Sequence, residues 1–162
     1  MTKKVRTFNM TGKVEITGAS TPVHKRLHVG DMKSGRVYAV VDFRVYPSVT
    51  SREGQLNGTL TFKADDTLEP NAPDFSSTGE IAWSTHATYK GISGPVNEGF
   101  QYSSMKHMDD ERFFAKDLHL HVSNETSTDD VNYYVKIAEF ASTEDVSSIV
   151  QLIQFSELLG QT

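Results

Sequence analysis

Two histidines, His119 and His121, have the spacing that could support metal chemistry, since a single residue separates them. Side chains at positions i and i+2 of a strand point to one face, about 7 Å apart, and neutral imidazole is a common metal ligand. A complete site needs more ligands, and no other histidine is nominated by its spacing. The apolar residues Leu118, Leu120 and Val122 predict the core face of the same strand. We therefore expect both histidines to face outward as solvated or interface side chains.

Acidic pairs or triplets occur at residues 65–66, 109–111 and 129–130, and they could offer oxygen ligands to calcium. None fits the EF-hand loop, which needs glycine at its sixth position and glutamate at its twelfth. Acidic residues are also ordinary components of turns. We interpret these three clusters as turns.

Motifs for covalent or phosphate chemistry are absent from the sequence. There is no G-x-S-x-G, S-x-x-K or H-E-x-x-H, and no phosphate-binding or dinucleotide-binding loop. A triad assembled from distant strands stays open, because such an arrangement has no local signature. The sequence therefore predicts a protein that is not an enzyme, with no catalytic residue, no cofactor and no metal.

Aromatic residues flank a glycine-rich segment at 90–99 and suggest a second kind of site. Trp83, Tyr89 and Tyr102 could stack on a sugar ring if they were exposed. A lone tryptophan in an alternating segment is more often a core residue. We favour the core for Trp83 and keep a carbohydrate-binding module as an alternative function.

Composition narrows the class of partner. The 162 residues include no cysteine, and 16 Lys plus Arg stand against 21 Asp plus Glu, for a net charge of −5. Disulfide scaffolds and thiol catalysis are thereby excluded, and a general affinity for nucleic acid is disfavoured. The sequence contains no run of 18 apolar residues, so no membrane span is predicted. Residues 1–12 are locally basic at their start and could form an N-terminal arm.

The elements that position these residues follow from a two-residue alternation of apolar and polar side chains. Such alternation predicts strands with one buried face. Residues 1–162 therefore read as a single antiparallel β-sandwich, similar to a jelly roll. The last two strands, on either side of a polar turn, read as a hairpin. The strongest strand, 36–46, places Val37, Ala39, Val41, Phe43 and Val45 on one face. The predicted strands cover residues 13–17, 23–29, 36–46, 56–64, 80–89, 100–108, 112–122 and 130–140.

The C-terminal residues switch to a helical period. Ser142 can cap a helix over 143–159, whose main apolar stripe has the spacing i, i+3, i+4 and i+7. A second apolar group broadens this surface, which predicts that the helix meets either a groove of its own domain or a neighbouring subunit. We favour packing on the sandwich of its own chain. The stripe is Val146, Ile149, Val150 and Ile153, and the predicted interface is Leu152, Phe155, Leu158 and Leu159.

Four stretches give the chain its resemblance to a known family: residues 35–44, 117–124, 130–137 and 147–153. In texture they resemble small structural proteins from the virions of marine bacterial viruses, over about a third of the chain. The resemblance implies a capsid, decoration or tail subunit. Its partners would be copies of itself and other virion proteins, in the virion and, during assembly, in the host cytoplasm. A carbohydrate-binding sandwich and a metal-dependent cupin-like enzyme using His119 and His121 stand as alternatives.

Overall fold

The chain is all-β wherever its structure is described. The computed structural model describes residues 3–30, 35–49, 54–62, 64–65, 67–74, 79–90, 100–108 and 113–141. These residues form nine strands and no helix. No helix among them is therefore long and apolar enough to cross a membrane. The strands are β1 (Lys3–Val14), β2 (Val23–His28), β3 (Arg36–Pro47), β4 (Gly54–Thr61), β5 (Glu80–Lys90), β6 (Phe100–Met108), β7 (Phe113–Phe114), β8 (Asp117–Asn124) and β9 (Val131–Ala141).

The strands form two antiparallel sheets, as the alternation predicts. The four-stranded sheet has the order β1-β9-β3-β7, and the five-stranded sheet has the order β2-β8-β4-β5-β6. The pairs β1·β9, β2·β8, β3·β7 and β4·β5 are nested in sequence, and successive pairs alternate between the two sheets. The strand at 36–46 is central, as expected, because β3 lies between β9 and β7.

The predicted hairpin of the last two strands is wrong. β8 pairs with β2 and β4, whereas β9 pairs with β1 and β3, so these consecutive strands lie in opposite sheets. Asn124 organises the turn between them: its Oδ1 accepts from the backbone N–H of Ser127 at 3.1 Å, and its Nδ2 donates to the carbonyl of Asp129 at 3.1 Å. Local alternation identifies both strands, but long-range pairing decides the sheet to which each belongs.

A β-bulge in β3 changes which side chains face the core. Val40 pairs with Ile137 and Asp42 with Lys136, so Val41 is the extra residue and is 39% exposed. A single inserted residue reverses the alternation. The predicted single face of β3 is therefore wrong. Phe43 and Val45 belong to the core cluster, as do Tyr38 and Val40, whereas Val37 and Ala39 lie outside it.

Apolar side chains fill the space between the sheets. Leu60, Leu118 and Leu120 of the five-stranded sheet are fully buried in the core cluster. The sheets lie close together at Gly58, where an added Cβ would lie 2.6 Å from Cγ1 of Val45. A side chain at this position would overlap the opposite sheet, which explains the glycine in the middle of β4.

The predictions for the two ends of the chain have different outcomes. The segment expected as a free N-terminal arm, 1–12, is mostly part of β1, whose residues from Lys3 onward pair with β9. The predicted helix 143–159 lies outside the described residues, as do the predicted interface residues Leu152, Phe155, Leu158 and Leu159.

Candidate functional site

The outer face of the five-stranded sheet carries the chemically most distinctive residues. The strand registers align His24, His121, Thr59, Trp83 and His107 in one row across the five strands. These positions alternate with the core residues, so their side chains lie on the face turned away from the other sheet. We call this set the outer row.

Three histidines form a stack on this face. His24 Nε2 lies 2.8 Å from His119 Nδ1, which is hydrogen-bond distance. The ring of His24 also stacks on both His119 and His121, with centroids 5.0 Å apart in each case. The outward direction predicted for His119 and His121 is confirmed by the register. His119 is partly exposed, whereas His121 is 1% exposed and is therefore not the solvated side chain that was one of the two expectations.

The loop between β4 and β5 covers His121 and explains its burial. We call residues 64–65 and 67–74 the covering loop. The backbone N–H of Asp65 donates to His121 Nε2 at 3.2 Å. The carboxylate of Asp65 accepts from the backbone N–H of Thr67 at 2.9 Å, which holds the loop in a tight turn. Asp65, which the sequence analysis interpreted as a turn residue, therefore does stabilise a turn.

Trp83 fixes the other end of the covering loop. Its Nε1–H donates to the carbonyl of Pro70 at 3.0 Å, and the residue is 6% exposed. Burial of Trp83 was expected, but the tryptophan lies under the covering loop and is not a member of the central core cluster. It therefore presents no free face to a sugar ring. The side chains of Tyr89 and Tyr102 are outside the described part of the structure.

Burial controls the charge of the stack. For His119, burial and then the neighbouring His24 lower the pKa to about 4, with Asp117 acting in the opposite direction. For His121, burial, His24 and His119 lower the pKa to about 4, and Asp65 opposes them. Both imidazoles are therefore neutral at pH 7. Because His121 Nε2 accepts a hydrogen bond, the proton of the neutral ring is on Nδ1.

The stacked geometry does not resemble a coordination sphere. The ring of His24 lies 25° from the plane of His119 and 21° from that of His121. Nitrogen lone pairs lie in the ring plane, so near-parallel rings do not aim them at one central ion. Within the described ranges, no group of three or more His, Cys, Asp or Glu side chains is arranged to hold a metal.

An ion-pair cluster borders the stack at the edge strand β2. The buried carboxylate of Asp117 accepts from Arg26 Nε at 2.6 Å and from His28 Nδ1 at 2.8 Å. Sequence reasoning missed both the Asp117 cluster and His24. The available signal was the alternation of His24, Arg26 and His28 on the polar face of a predicted strand. This signal points to the histidine stack only once β2 is known to pair with β8.

The acidic pair at residues 129–130 lies beside a small cleft at the end of the sandwich. The cleft has a cavity volume of about 20 Å³, which is room for a water molecule and too little for a sugar. Asp129 accepts from the Ser127 hydroxyl at 3.0 Å, and Asp130 is 3.9 Å from Nζ of Lys13. The carboxylates are thus engaged within the turn.

A different surface lies on the outer face of the four-stranded sheet. Val37, Ala39 and Ala138 are 0%, 3% and 1% exposed, yet they lie outside the core cluster and alternate with its members. Phe113 and Phe140 border them, with rings meeting edge to face at 5.5 Å. We call these five residues the apolar patch.

Comparisons with protein-family models, curated proteins and solved structures gave no match to this chain. The strand order, the outer row and the apolar patch are the features of this protein that bear on its function.

Proposed function

We propose that this protein is a structural subunit of a virus particle, a capsid, decoration or tail protein that acts by assembling with copies of itself and with other virion proteins. The observation that carries the proposal is the strand order. The orders β1-β9-β3-β7 and β2-β8-β4-β5 are those of an eight-stranded jelly roll, to which β6 adds an edge strand. Jelly rolls serve as viral capsid domains, lectins and cupins.

The side chains that this fold carries favour a viral structural protein over a lectin or a cupin. Strand order alone is an analogy, so the choice depends on the residues that each function would use. A lectin would need exposed aromatic rings, and Trp83 is buried beneath the covering loop. A cupin-like enzyme would need polar ligands between the sheets, where the described side chains are mainly apolar and closely packed. His119 and His121 lie on the opposite face.

The apolar patch supports a role for the C-terminal segment within the subunit. Val37, Ala39 and Ala138 face away from the core but are almost fully buried, so other groups must cover them. The chain leaves β9 at Ala141, one residue after Phe140 of the patch. We infer that helix 143–159 folds back here and packs its stripe on the patch, which buries apolar surface on both sides. The stripe is Val146, Ile149, Val150 and Ile153.

The same placement would leave a second apolar group for contact between subunits. Residues that lie outside the stripe of an amphipathic helix face away from the surface on which it packs. Leu152, Phe155, Leu158 and Leu159 would then be available to a neighbour. Closed symmetry would allow this one small surface to be used in every subunit. The protein would be found in the virion and, before assembly, in the host cytoplasm.

Light scattering tests assembly directly, with electron microscopy of any large species. We expect the full chain to form an oligomer whose mass is a multiple of 18.0 kDa. Phe155→Asp should reduce the mass towards that of one subunit, because a charge would be buried at the contact. Gln154→Asp, about 100° around the same helix from Phe155, is the matched control and should leave the mass unchanged. A full chain that remains a monomer at high concentration would contradict the proposal.

A further inference from the structure

The histidine stack and the covering loop are connected through one hydrogen bond that depends on protonation. His121 Nε2 accepts from the backbone N–H of Asp65, so this nitrogen must carry a lone pair. A proton on Nε2 would place two donors against each other at 3.2 Å and would put a charge on a residue that is 1% exposed. Neither change can be tolerated without movement, because a buried charge needs compensating partners.

We propose that the stack and the covering loop form an acid-sensitive latch: protonation of His121 releases the covering loop from the five-stranded sheet and exposes His121 and Trp83 beneath it. We use latch for the Asp65–His121 hydrogen bond together with the stack that positions His121. The proposal concerns the subunit itself and does not depend on what the subunit assembles into.

The groups around His121 determine the direction of the response. From β2, His24 faces it as a second imidazole, and Arg26 adds a positive charge near His119. From β8, His119 disfavours a proton on His121. The hydrogen bond between His24 and His119 needs at least one neutral ring, since one nitrogen must accept. Protonation of the stack therefore accumulates positive charge in a partly buried site.

Two carboxylates moderate the response without removing it. Asp65 of the covering loop raises the pKa of His121, and Asp117 raises that of His119, but burial and the other histidines outweigh both. Asp117 is already hydrogen-bonded to Arg26 and His28. β4 contributes Thr59 to the row, a neutral residue whose buried hydroxyl has no hydrogen-bond partner. None of these neighbouring groups would replace His121 Nε2 as the acceptor for the backbone N–H of Asp65.

Tryptophan fluorescence can report release of the covering loop. Trp83 is the single tryptophan of the chain, and its Nε1–H donates to Pro70 of the covering loop. If the loop leaves the sheet, the indole loses this bond and meets water. Tryptophan emission should then shift to longer wavelength between pH 6.5 and 4, while the far-ultraviolet circular dichroism of the sheets is retained at the start of the transition.

His121→Gln is the decisive variant, because the Gln Oε1 can still accept from Asp65 and does not titrate. It should remove the acid-induced emission shift. His107→Gln is the matched control: His107 is the histidine that neighbours Trp83 in the outer row. The shift should persist in His107→Gln. A shift that persists in His121→Gln, or that disappears in His107→Gln, would overturn the latch.

Hydrogen exchange provides a second test in the unaltered chain, which holds even if His121→Gln fails to fold. After correction for intrinsic exchange rates, the population in which the covering loop is open should rise about twentyfold from pH 7 to pH 5. The estimate uses a pKa of 6.5 in the open form and of about 4 in the closed form. Exchange in the centre of β8 should change much less. Equal acceleration of both segments, or none, would contradict a local release.

Discussion

The outer faces of the two sheets each carry nearly fully buried residues, but these residues have opposite chemistry. Val37, Ala39 and Ala138 of the four-stranded sheet are small and apolar, whereas Thr59 and His121 of the five-stranded sheet are polar. An apolar face needs only a cover of complementary shape. A polar face needs hydrogen-bond partners and a defined charge state. The comparison teaches that two covered faces of one sandwich can differ in how they respond to substitution and to pH.

A carboxylate on the apolar face should have the largest effect. Ala138→Asp would bury an unpaired charge in the apolar patch and should lower the free energy of unfolding by about 3–5 kcal/mol. Chemical denaturation followed by circular dichroism would measure this loss. The matched control is Ala87→Asp on the outer face of the other sheet, where the residue is partly exposed.

Ala87→Asp should change the free energy of unfolding by less than about 1 kcal/mol. Comparable losses for the two variants would mean that the apolar patch is not a dry, covered face. Truncation after residue 141 sharpens the test: if the C-terminal segment covers the patch, the effect of Ala138→Asp should shrink in the truncated chain.

The polar face should make stability depend on pH. The folded chain holds the pKa of His119 and of His121 at about 4, below the ordinary 6.5. The unfolded chain therefore binds protons more readily, so the contribution of these residues is complete above pH 6.5 and is lost as the pH falls towards 4. We expect a loss on the order of 2 kcal/mol across this window, after allowance for partial solvation.

Denaturation midpoints measured at intervals between pH 7.5 and 4 would follow this loss. His121→Gln should flatten the dependence. His28→Gln, a half-exposed residue at the edge of the same sheet, should retain it. A stability that is level across the window in the unaltered chain would show that the stack carries no such linkage.

Trp83→Phe tests the attachment of the covering loop without a change of charge. The substitution removes the donor to Pro70 and some buried volume, so the free energy of unfolding should fall by about 1–2 kcal/mol. Tyr134→Phe is the control, since it removes an exposed hydrogen bond to Asn9 and should change stability by less than about 0.5 kcal/mol. Equal effects would indicate that the indole is not held by the loop.

Val41→Thr should have the smallest effect and tests the bulge that divides β3. Val41 is 39% exposed, so the substitution should change the free energy of unfolding by less than about 0.5 kcal/mol. Its neighbour Val40 is fully buried, and Val40→Thr should cost about 1–3 kcal/mol by burying a hydroxyl. The reverse order would place the bulge at a different residue.

Sequence patterns predicted the parts of this fold that depend on local alternation. The strands around Leu118 and Val131 follow from their apolar positions, and both outward-facing histidines of β8 were predicted. The sheet assignment of β8 and β9 was not predictable in this way, because it depends on pairing with strands distant in sequence. The bulge at Val41 was also hidden, since one inserted residue leaves composition unchanged.

The candidate site was predictable only in part for the same reason. His119 and His121 are recognisable as a pair, but His24 joins them through the pairing of β2 with β8 across 95 residues of chain. The burial of His121 depends on a loop that reads as polar and exposed. No rule of local sequence indicates that a polar loop will fold over a polar sheet face and satisfy it.

The mass of the full chain in solution tests most directly the central proposal, namely that this two-sheet protein works by association. Light scattering at several concentrations should give a defined multiple of 18.0 kDa, and Phe155→Asp should lower it while Gln154→Asp does not. A mass of one subunit at every concentration, with no larger species visible by electron microscopy, would contradict the account.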